Sequence, residues 1–505
     1  MSSASILAID IGTTNVKCVV FSRELQSLGE CACEYETNIQ GGNQVEQNPD
    51  DWWRCGIVAI RGALAVSNAS AQEVDIVLVS SQAPTMLPVD KSGVPLHPAL
   101  IWMDTRSVSQ CEEIANKVGA DNVEQLTGNR VDPFYVAGEL LWFRQTHPAL
   151  FEKTHKVLQA NGYFNYLLTG EFSLDEVHAS ITQCYNIHTD TWNEEILDAC
   201  GVSSELFPQV SQCHQVIGRV TQWAAQQTGL RIGTAVAAGT VDGAAAGLEG
   251  GVSRGGMAAE MSGTSSVLII GSDQIRTNPN LTYMKSAIHG QHLLLGCMST
   301  TGGALKWFRN QLYTTTSAQA YSSMNAEVEE HAPDPSRVIF LPYMAGERAP
   351  IWNPQAKGAF LNLTLDVKRA DMIRAIMEGA AFALKDNILE AARSGAQIRQ
   401  LRVVGGHTNS DIWLRIKASV LNLPLEVPAC NLGAPGGLAC MGGYALGEYA
   451  SVNEAVSRFV RIERICEPVP AWHNAYEEKF LCFKESYDRL HRRMGNLNVE
   501  MDELK

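Results

Sequence analysis

The chain has 505 residues, enough for two or more domains with a core each. With 45% hydrophobic and 18% charged residues it has the composition of a soluble globular protein. A formal net charge of −15 argues against a nucleic-acid backbone or an anionic membrane as the main partner.

The first element is the one around which the rest is organised. Apolar residues run Ile6-Leu7-Ala8-Ile9, stop at Asp10, and resume as Val16 and Cys18-Val19-Val20-Phe21, a strand–turn–strand pattern. The turn holds Gly12, Thr13, Thr14 and Asn15. Glycine lets the backbone approach a ligand closely, and successive backbone N–H groups in such a turn form an anion-binding hollow. The two threonine hydroxyls and Lys17 add donors suited to phosphate. Asp10 has no attraction to phosphate and fits a metal ion that accompanies a nucleotide. A plain hairpin with a glycine turn explains this stretch equally well, so the choice depends on the rest of the chain.

After the hairpin, Gln44 to Trp53 reads as a polar loop entering a helix that starts at Pro49 or Asp50 and runs towards Ala65. Val74 to Val79 is a buried strand ending in Ser80-Ser81-Gln82-Ala83-Pro84, and the ends of central strands are where an open α/β sheet places ligands. Leu87 to Asp90 and Ala99 to Trp102 form a second hairpin around Lys91-Ser92-Gly93, followed by Met103-Asp104-Thr105-Arg106. Residues 107–230 are mainly helical by periodicity. Ala235 to Gly251 then delivers Asp242 from a small-residue strand to an Ala/Gly-rich helix, a composition that points to close backbone packing. Gly250-Gly251 and Gly255-Gly256 mark a plausible domain joint.

Past that joint, Ala258 to Ile270 repeats the opening pattern, with Gly263-Thr264-Ser265 as its turn. Two such hairpins facing each other across a cleft would clamp a triphosphate, and the coincidence favours phosphate over the plain hairpin. Thr301-Gly302-Gly303 opens the helix Ala304 to Phe308 with a glycine-bearing N-terminus. Ile339 to Tyr343 is a strand leading to Gly346-Glu347-Arg348-Ala349-Pro350, and Leu401 to Val404 is a strand ending in Gly405-Gly406-His407-Thr408-Asn409-Ser410. The last forty residues are charged and helical with no evident site. Thirteen cysteines lack metal-ligand spacing, no signal peptide precedes the first strand, and no apolar run reaches the length of a membrane span. The expectation is reduced, mostly buried thiols in a cytoplasmic protein.

Taken in order, these motifs resemble the FGGY carbohydrate kinases of the actin/hexokinase/heat-shock ATPase superfamily, xylulokinases and FGGY gluconokinases in particular. The resemblance rests on Asp10-x-Gly12-Thr13-Thr14, Glu46 to Trp52, Ile101-Trp102-Met103-Asp104-x-Arg106 and Val241-Asp242. It continues through Ser262-Gly263-Thr264-Ser265, Thr301-Gly302-Gly303, Leu341 to Pro350 and Gly358 to Gly379. It implies an α/β fold of two RNase H-like domains around a central cleft, 1–250 on the sugar side and 251–505 on the nucleotide side. It implies transfer of the ATP γ-phosphate to a hydroxyl of a sugar or polyol, with Mg2+, in a protein without nucleic-acid or membrane partners; monomer and homodimer stay open.

Residue by residue, the family pattern makes Asp242 the general base, which suits a reaction needing a carboxylate at the nucleophile and positive or N–H charge around phosphate. As a residue it could also be a helix N-cap, or both. Asp10 and Asp242 are the metal candidates. Nucleotide positions fall on Gly12, Thr13, Thr14, Lys17, Gly263, Thr264, Gly302, Lys306, Gly405, Gly406 and Ser410. Gln82, Ala83, Pro84, Trp102, Asp104 and Arg106 lie by the sugar pocket, although a core role is the commoner fate of a tryptophan. Arg348 is either a phosphate or substrate residue or half of an interdomain ion pair.

Three departures stand out. Xylulokinases carry Met-His, and glycerol kinases Arg-Glu, where this chain has Ala83-Pro84; Gly243 replaces Asn or Gln beside the base; and His407 replaces a glycine in the adenine-side loop, which either tunes nucleotide fit or, the preferred reading, is a surface histidine. The leading expectation is a pentulose kinase, with an aldonate such as gluconate as the rival acceptor. Two further readings are a non-catalytic ATP-binding protein of the actin type and a degenerate kinase that senses sugar.

Overall fold

A computed structural model describes residues 4–67, 69–313 and 319–494. Its first strand, Ala4–Ile11, pairs antiparallel with Asn15–Ser22 and parallel with Ile76–Ser81. The continuous apolar run of the first strand follows from burial on both faces. Ile6 and Ala8 face one core, while Leu7, Ile9 and Ile11 face another with Trp52 and Ala59 of the helix Pro49–Ser67. That helix starts at one of the two expected positions, with Asp50 and Asp51 in its first turn.

Among the described residues the main sheet of the first half has seven strands. Ser27–Glu34 continues it antiparallel beyond Asn15–Ser22, and Ala235–Ala237 and Thr240–Val241 lie parallel to Ile76–Ser81, with Val216–Arg219 outermost and antiparallel. The second half repeats this plan. Met257–Ser262 pairs antiparallel with Ser266–Ser272 and parallel with Gln400–Gly405. His292–Met298 follows antiparallel, Leu425–Pro428 lies parallel to Gln400–Gly405, and Ile462–Cys466 closes that edge antiparallel. Thr282–Lys285 is an extra edge strand. The internal echo in the sequence is thus a duplicated sheet with matching strand directions.

Between the sheets run two helices of small residues, Asp242–Glu249 and Ala434–Ala445. A Cβ on Gly437 would fall 1.9 Å from the Ala245 carbonyl oxygen, so glycine is what lets the two backbones meet. The second of these helices belongs to the C-terminal half by sequence, yet Leu438 and Ala439 share a core with Ile6 and Leu78 of the first sheet and with Leu293 of the second. The stretch 107–230 contains the expected helices, including Val108–Val118 and Val136–Thr146, but also short strands such as Lys156–Leu158 and Val216–Arg219. The expected second hairpin forms as Thr85–Val89 and Ala99–Ile101, part of a five-stranded sheet flanking the cleft. The C-terminal helix His473–Met494 packs Tyr476, Phe480 and Phe483 into the core of the second half.

Candidate active site

Both candidate carboxylates stand at the same end of the two strands that flank Ile76–Ser81. Ser80 pairs with Asp10 on one side and Thr240 on the other, and Ser81 pairs with Ile11 and Val241. Asp242 is therefore the next residue out, at the start of its helix. Its Oδ1 accepts the Gly243 N–H at 2.6 Å, a bond to the adjacent residue rather than an N-cap bond. Asp10 accepts the Ser80 hydroxyl at 2.7 Å. Burial pushes Asp242 up to about 7, with the Asp10 charge adding to the rise, and burial pushes Asp10 up to about 6. A carboxylate with such a value is set to take a proton near neutral pH.

The first turn is buttressed from beneath. Gly12 N–H donates to Asn15 O at 3.0 Å, and the Tyr35 hydroxyl donates to Gly12 O. Gln47 Nε2 donates to Thr13 O at 2.8 Å, and Gln47 Oε1 accepts from Trp52 Nε1 and Gln82 Nε2. Trp102 Nε1 donates to Thr13 Oγ1 at 3.0 Å, tying the expected sugar-side tryptophan to the turn. Thr14 is exposed. Lys17 is engaged elsewhere, ion-paired with Glu30 at 2.9 Å and donating to Leu432 O.

The second half supplies a cavity of about 510 Å³. Gly263 and Thr264 of the second turn line it with Gly302 and Lys306 of the helix Gly302–Leu312, and with Gly406 and Ser410 beyond the strand Gln400–Gly405. Gly405 stands beside it at φ 115°, where a Cβ would lie 1.9 Å from Ser262 O. A Cβ on Gly406 would meet nothing within 4 Å, so glycine there serves the open space rather than the fold. Lys306 has no ion-pair partner among the described residues, and with the N-terminus of its helix it presents positive charge to the cavity. His407, expected at the surface, is 6% exposed and lines the cavity. Tyr321 and Asn325, which no motif signalled, also line it.

On the acceptor side, Asp104 and Arg106 face each other. Arg106 lies 2.7 Å from Asp104 and 2.8 Å from Glu46, its side chain only 5% exposed and stacked over Trp142. Ala83 packs against the core and, with Pro84, presents no polar side chain; Gln82 is buried. Arg348 is the unforeseen feature. Its guanidinium sits 5.6 Å from the Trp102 ring, 4.7 Å from Phe134 and 5.7 Å from Trp352, with no carboxylate ion pair among the described residues. It bridges the halves through aromatic faces rather than the ion pair considered from sequence. Charges of both Arg348 and Asp242 act on Cys297, which places the two in one neighbourhood. Behind the strand end, Ser81 Oγ lies 3.2 Å from His178 Nε2, and His178 Nδ1 lies 2.5 Å from Asp175, all fully buried. Their separation in sequence hid this network.

A duplicated sheet, a cleft between the copies, a cavity lined by Gly263, Gly302 and Gly406 in one half and a buried pair of carboxylates at the strand ends of the other match a phosphotransferase of the actin/hexokinase type. Residues 5–248 match the N-terminal domain and residues 258–446 the C-terminal domain of the FGGY family of carbohydrate kinases. The chain belongs to that family, an enzyme that transfers phosphate to an alcohol group. A Staphylococcus epidermidis xylulose kinase is 26% identical over 487 residues, 95% of this chain and 96% of that protein. A Thermococcus gammatolerans glycerol kinase is 28% identical over 471 residues, 92% and 93% of the two chains. The solved xylulose kinase from Rhodospirillum rubrum superposes with a TM-score of 0.88 at 25% identity, covering 97% of this chain and 99% of that one.

Kinases of this family use ATP and a divalent metal ion. The donor set fits a metal carried in on phosphate: two neighbouring carboxylates, Asp10 and Asp242, and no cluster of three or more metal-binding side chains among the described residues.

Proposed function

We propose that this enzyme transfers the γ-phosphoryl group of ATP to a hydroxyl of a small open-chain sugar of the pentulose class, with Mg2+. The observation that carries the reading is Asp242, a carboxylate raised to about 7 at a strand end beside the interdomain cleft. Asp242 takes the proton of the acceptor hydroxyl as its oxygen bonds to the γ-phosphorus; the bond from that phosphorus to the β,γ-bridging oxygen breaks, and ADP leaves. Thr264, Lys306 and the N-terminus of the helix Gly302–Leu312 hold the phosphates on the nucleotide side, with Gly406 and Ser410 further along the cavity. Asp10 and Asp242 are the residues that would hold Mg2+, which would offset phosphate charge. Trp102, fixed by its bond to Thr13, and Gln82 border the acceptor. The pentulose class is supported by the xylulose kinases among the relatives, and free thiols fit a cytoplasmic setting.

A second reading, an aldonate acceptor, is favoured by Arg348, whose guanidinium is held by three rings without a carboxylate partner. ATP turnover measured against pentuloses, polyols and aldonates decides between them. Turnover of pentuloses alone supports the first reading, a preference for aldonates supports the second, and no turnover with any acceptor rejects both.

A further inference from the structure

We propose that Cys33 and Cys55 form a reversible oxidation site, at which a hydroperoxide converts the two thiols to a disulfide behind the first turn. The site lies outside the nucleotide and acceptor readings and depends on neither.

Cys33 belongs to the strand Ser27–Glu34 and Cys55 to the helix Pro49–Ser67, and both side chains pack into the core between them. The helix is seated directly on the strand: a Cβ on Gly62 would fall 2.4 Å from Cys31 Sγ. In that packing Cys33 Sγ lies 3.0 Å from Cys55 Sγ, about 1 Å beyond a covalent S–S bond. Both are free thiols that differ in access. Cys33 is partly exposed, and its Sγ reaches Glu34 O at 3.9 Å on the solvent side. Cys55 is fully buried, with its Sγ 3.3 Å from the same Glu34 O. The Arg54 guanidinium acts on both sulfurs, and a neighbouring cation supports the thiolate through which they react. Burial and the Cys33 thiol hold Cys55 above the ordinary thiol range.

These differences set the order of events. The Cys33 thiolate attacks one peroxide oxygen, the O–O bond breaks, and Cys33 becomes a sulfenic acid. The Cys55 sulfur then attacks the Cys33 sulfur, and the sulfenic hydroxyl leaves as water with the Cys55 proton. With hydrogen peroxide as oxidant, two thiols and one peroxide give one disulfide and two waters. The bond joins two supports of the first turn. Two residues beyond Cys33, Tyr35 N–H donates to Thr14 O at 3.1 Å and its hydroxyl to Gly12 O. One helical turn before Cys55, Trp52 bonds Gln47, the residue that supports Thr13 O. Disulfide formation also stops Cys33 at a stage that a thiol reductant reverses.

The test treats the full chain and its C33S, C55S and C31S variants with hydrogen peroxide. Remaining thiols are then alkylated, and the peptides are mapped by mass spectrometry without reduction. A Cys33–Cys55 peptide should be the predominant disulfide in the parent and in C31S, and dithiothreitol should remove it. The oxidised parent should melt a few degrees above the reduced one, because a loop has been closed. C55S lacks the resolving thiol and should carry sulfinic acid at Cys33. In the urea-unfolded parent the same treatment should scatter pairing over other cysteines. Recovery of both Cys33 and Cys55 as alkylated thiols after peroxide overturns the proposal, as does a predominant bond from Cys31. An equal yield of the Cys33–Cys55 bond from folded and unfolded chains overturns it too, and so does Cys33 left unoxidised in C55S.

Discussion

Replacing Asp242 by asparagine separates the chemistry of the site from its cost to the fold. The carboxyl stands at about 7 against an ordinary 3.8, because burial and the Asp10 charge disfavour its ionised form. Such a rise corresponds to about 4 kcal/mol of destabilisation once the group is ionised. Asp242 keeps part of its surface open to the cleft, and solvent there lowers the expectation to about 2–4 kcal/mol. The sign follows from the upward direction. Below about pH 4 the group is protonated in folded and unfolded chains alike and costs nothing; the penalty grows as pH rises and is complete above about 7. Without nucleotide or divalent ion, Asp242→Asn should therefore be more stable than the parent by about 2–4 kcal/mol at about pH 8, and by less than half of that at about pH 5. Urea unfolding at the two pH values measures this. The same variant should lose about 10²- to 10⁴-fold in turnover, read as ADP release with the best acceptor. Turnover within tenfold of the parent would remove Asp242 from the mechanism. A stability difference that does not change between the two pH values would refute the burial argument.

Three other substitutions probe the remaining walls of the cleft. Gly406→Val places branched carbons in the open part of the cavity and should raise the KM for ATP about tenfold or more while leaving the acceptor KM unchanged. Arg348→Ala should raise the KM for aldonates more than that for pentuloses in steady-state kinetics; an equal rise for both would argue against a carboxylate contact. Arg106→Ala leaves the fully buried Asp104 without its cation and should cost about 3–5 kcal/mol in denaturant unfolding, with acceptor KM close to the parent at temperatures where the variant is folded.

Much of the fold is legible because its elements carry local signals. The two hairpins show a glycine–threonine turn between apolar runs, and the Ala/Gly-rich stretch at Asp242 signals backbone contact, which Gly437 against Ala245 makes concrete. What escapes is pairing between distant short segments. Val216–Arg219 is a four-residue strand whose place depends on Ala235–Ala237, and four residues hold too little periodicity to declare themselves. The return of Ala434–Ala445 to the first sheet is equally silent, since an apolar helix does not say which core it enters.

The candidate site divides along a physical line between backbone and side chains. On the proposed nucleotide side the turns and the helix N-terminus offer main-chain groups, and a main-chain site demands glycine and small hydroxyl residues in fixed order, which is visible in one dimension. On the acceptor side the groups are charged side chains, whose residue type states what they can do while their partners decide what they do. Arg106 and Arg348 make the point: in sequence the first stands in an acceptor-side motif and the second is ambiguous. In the structure Arg106 is neutralised by Asp104 and Glu46, whereas Arg348 is held by Trp102, Phe134 and Trp352, rings drawn from both halves of the chain, with its charge unspent. His407 follows the same rule, since a histidine in a polar loop reads as solvated until the neighbours that bury it are known. In the proposed reading acceptor preference therefore turns on a juxtaposition that only folding creates: the Arg348 guanidinium, without an ion-pair partner among the described residues, is the group proposed to meet acceptor charge, rather than the motif arginine.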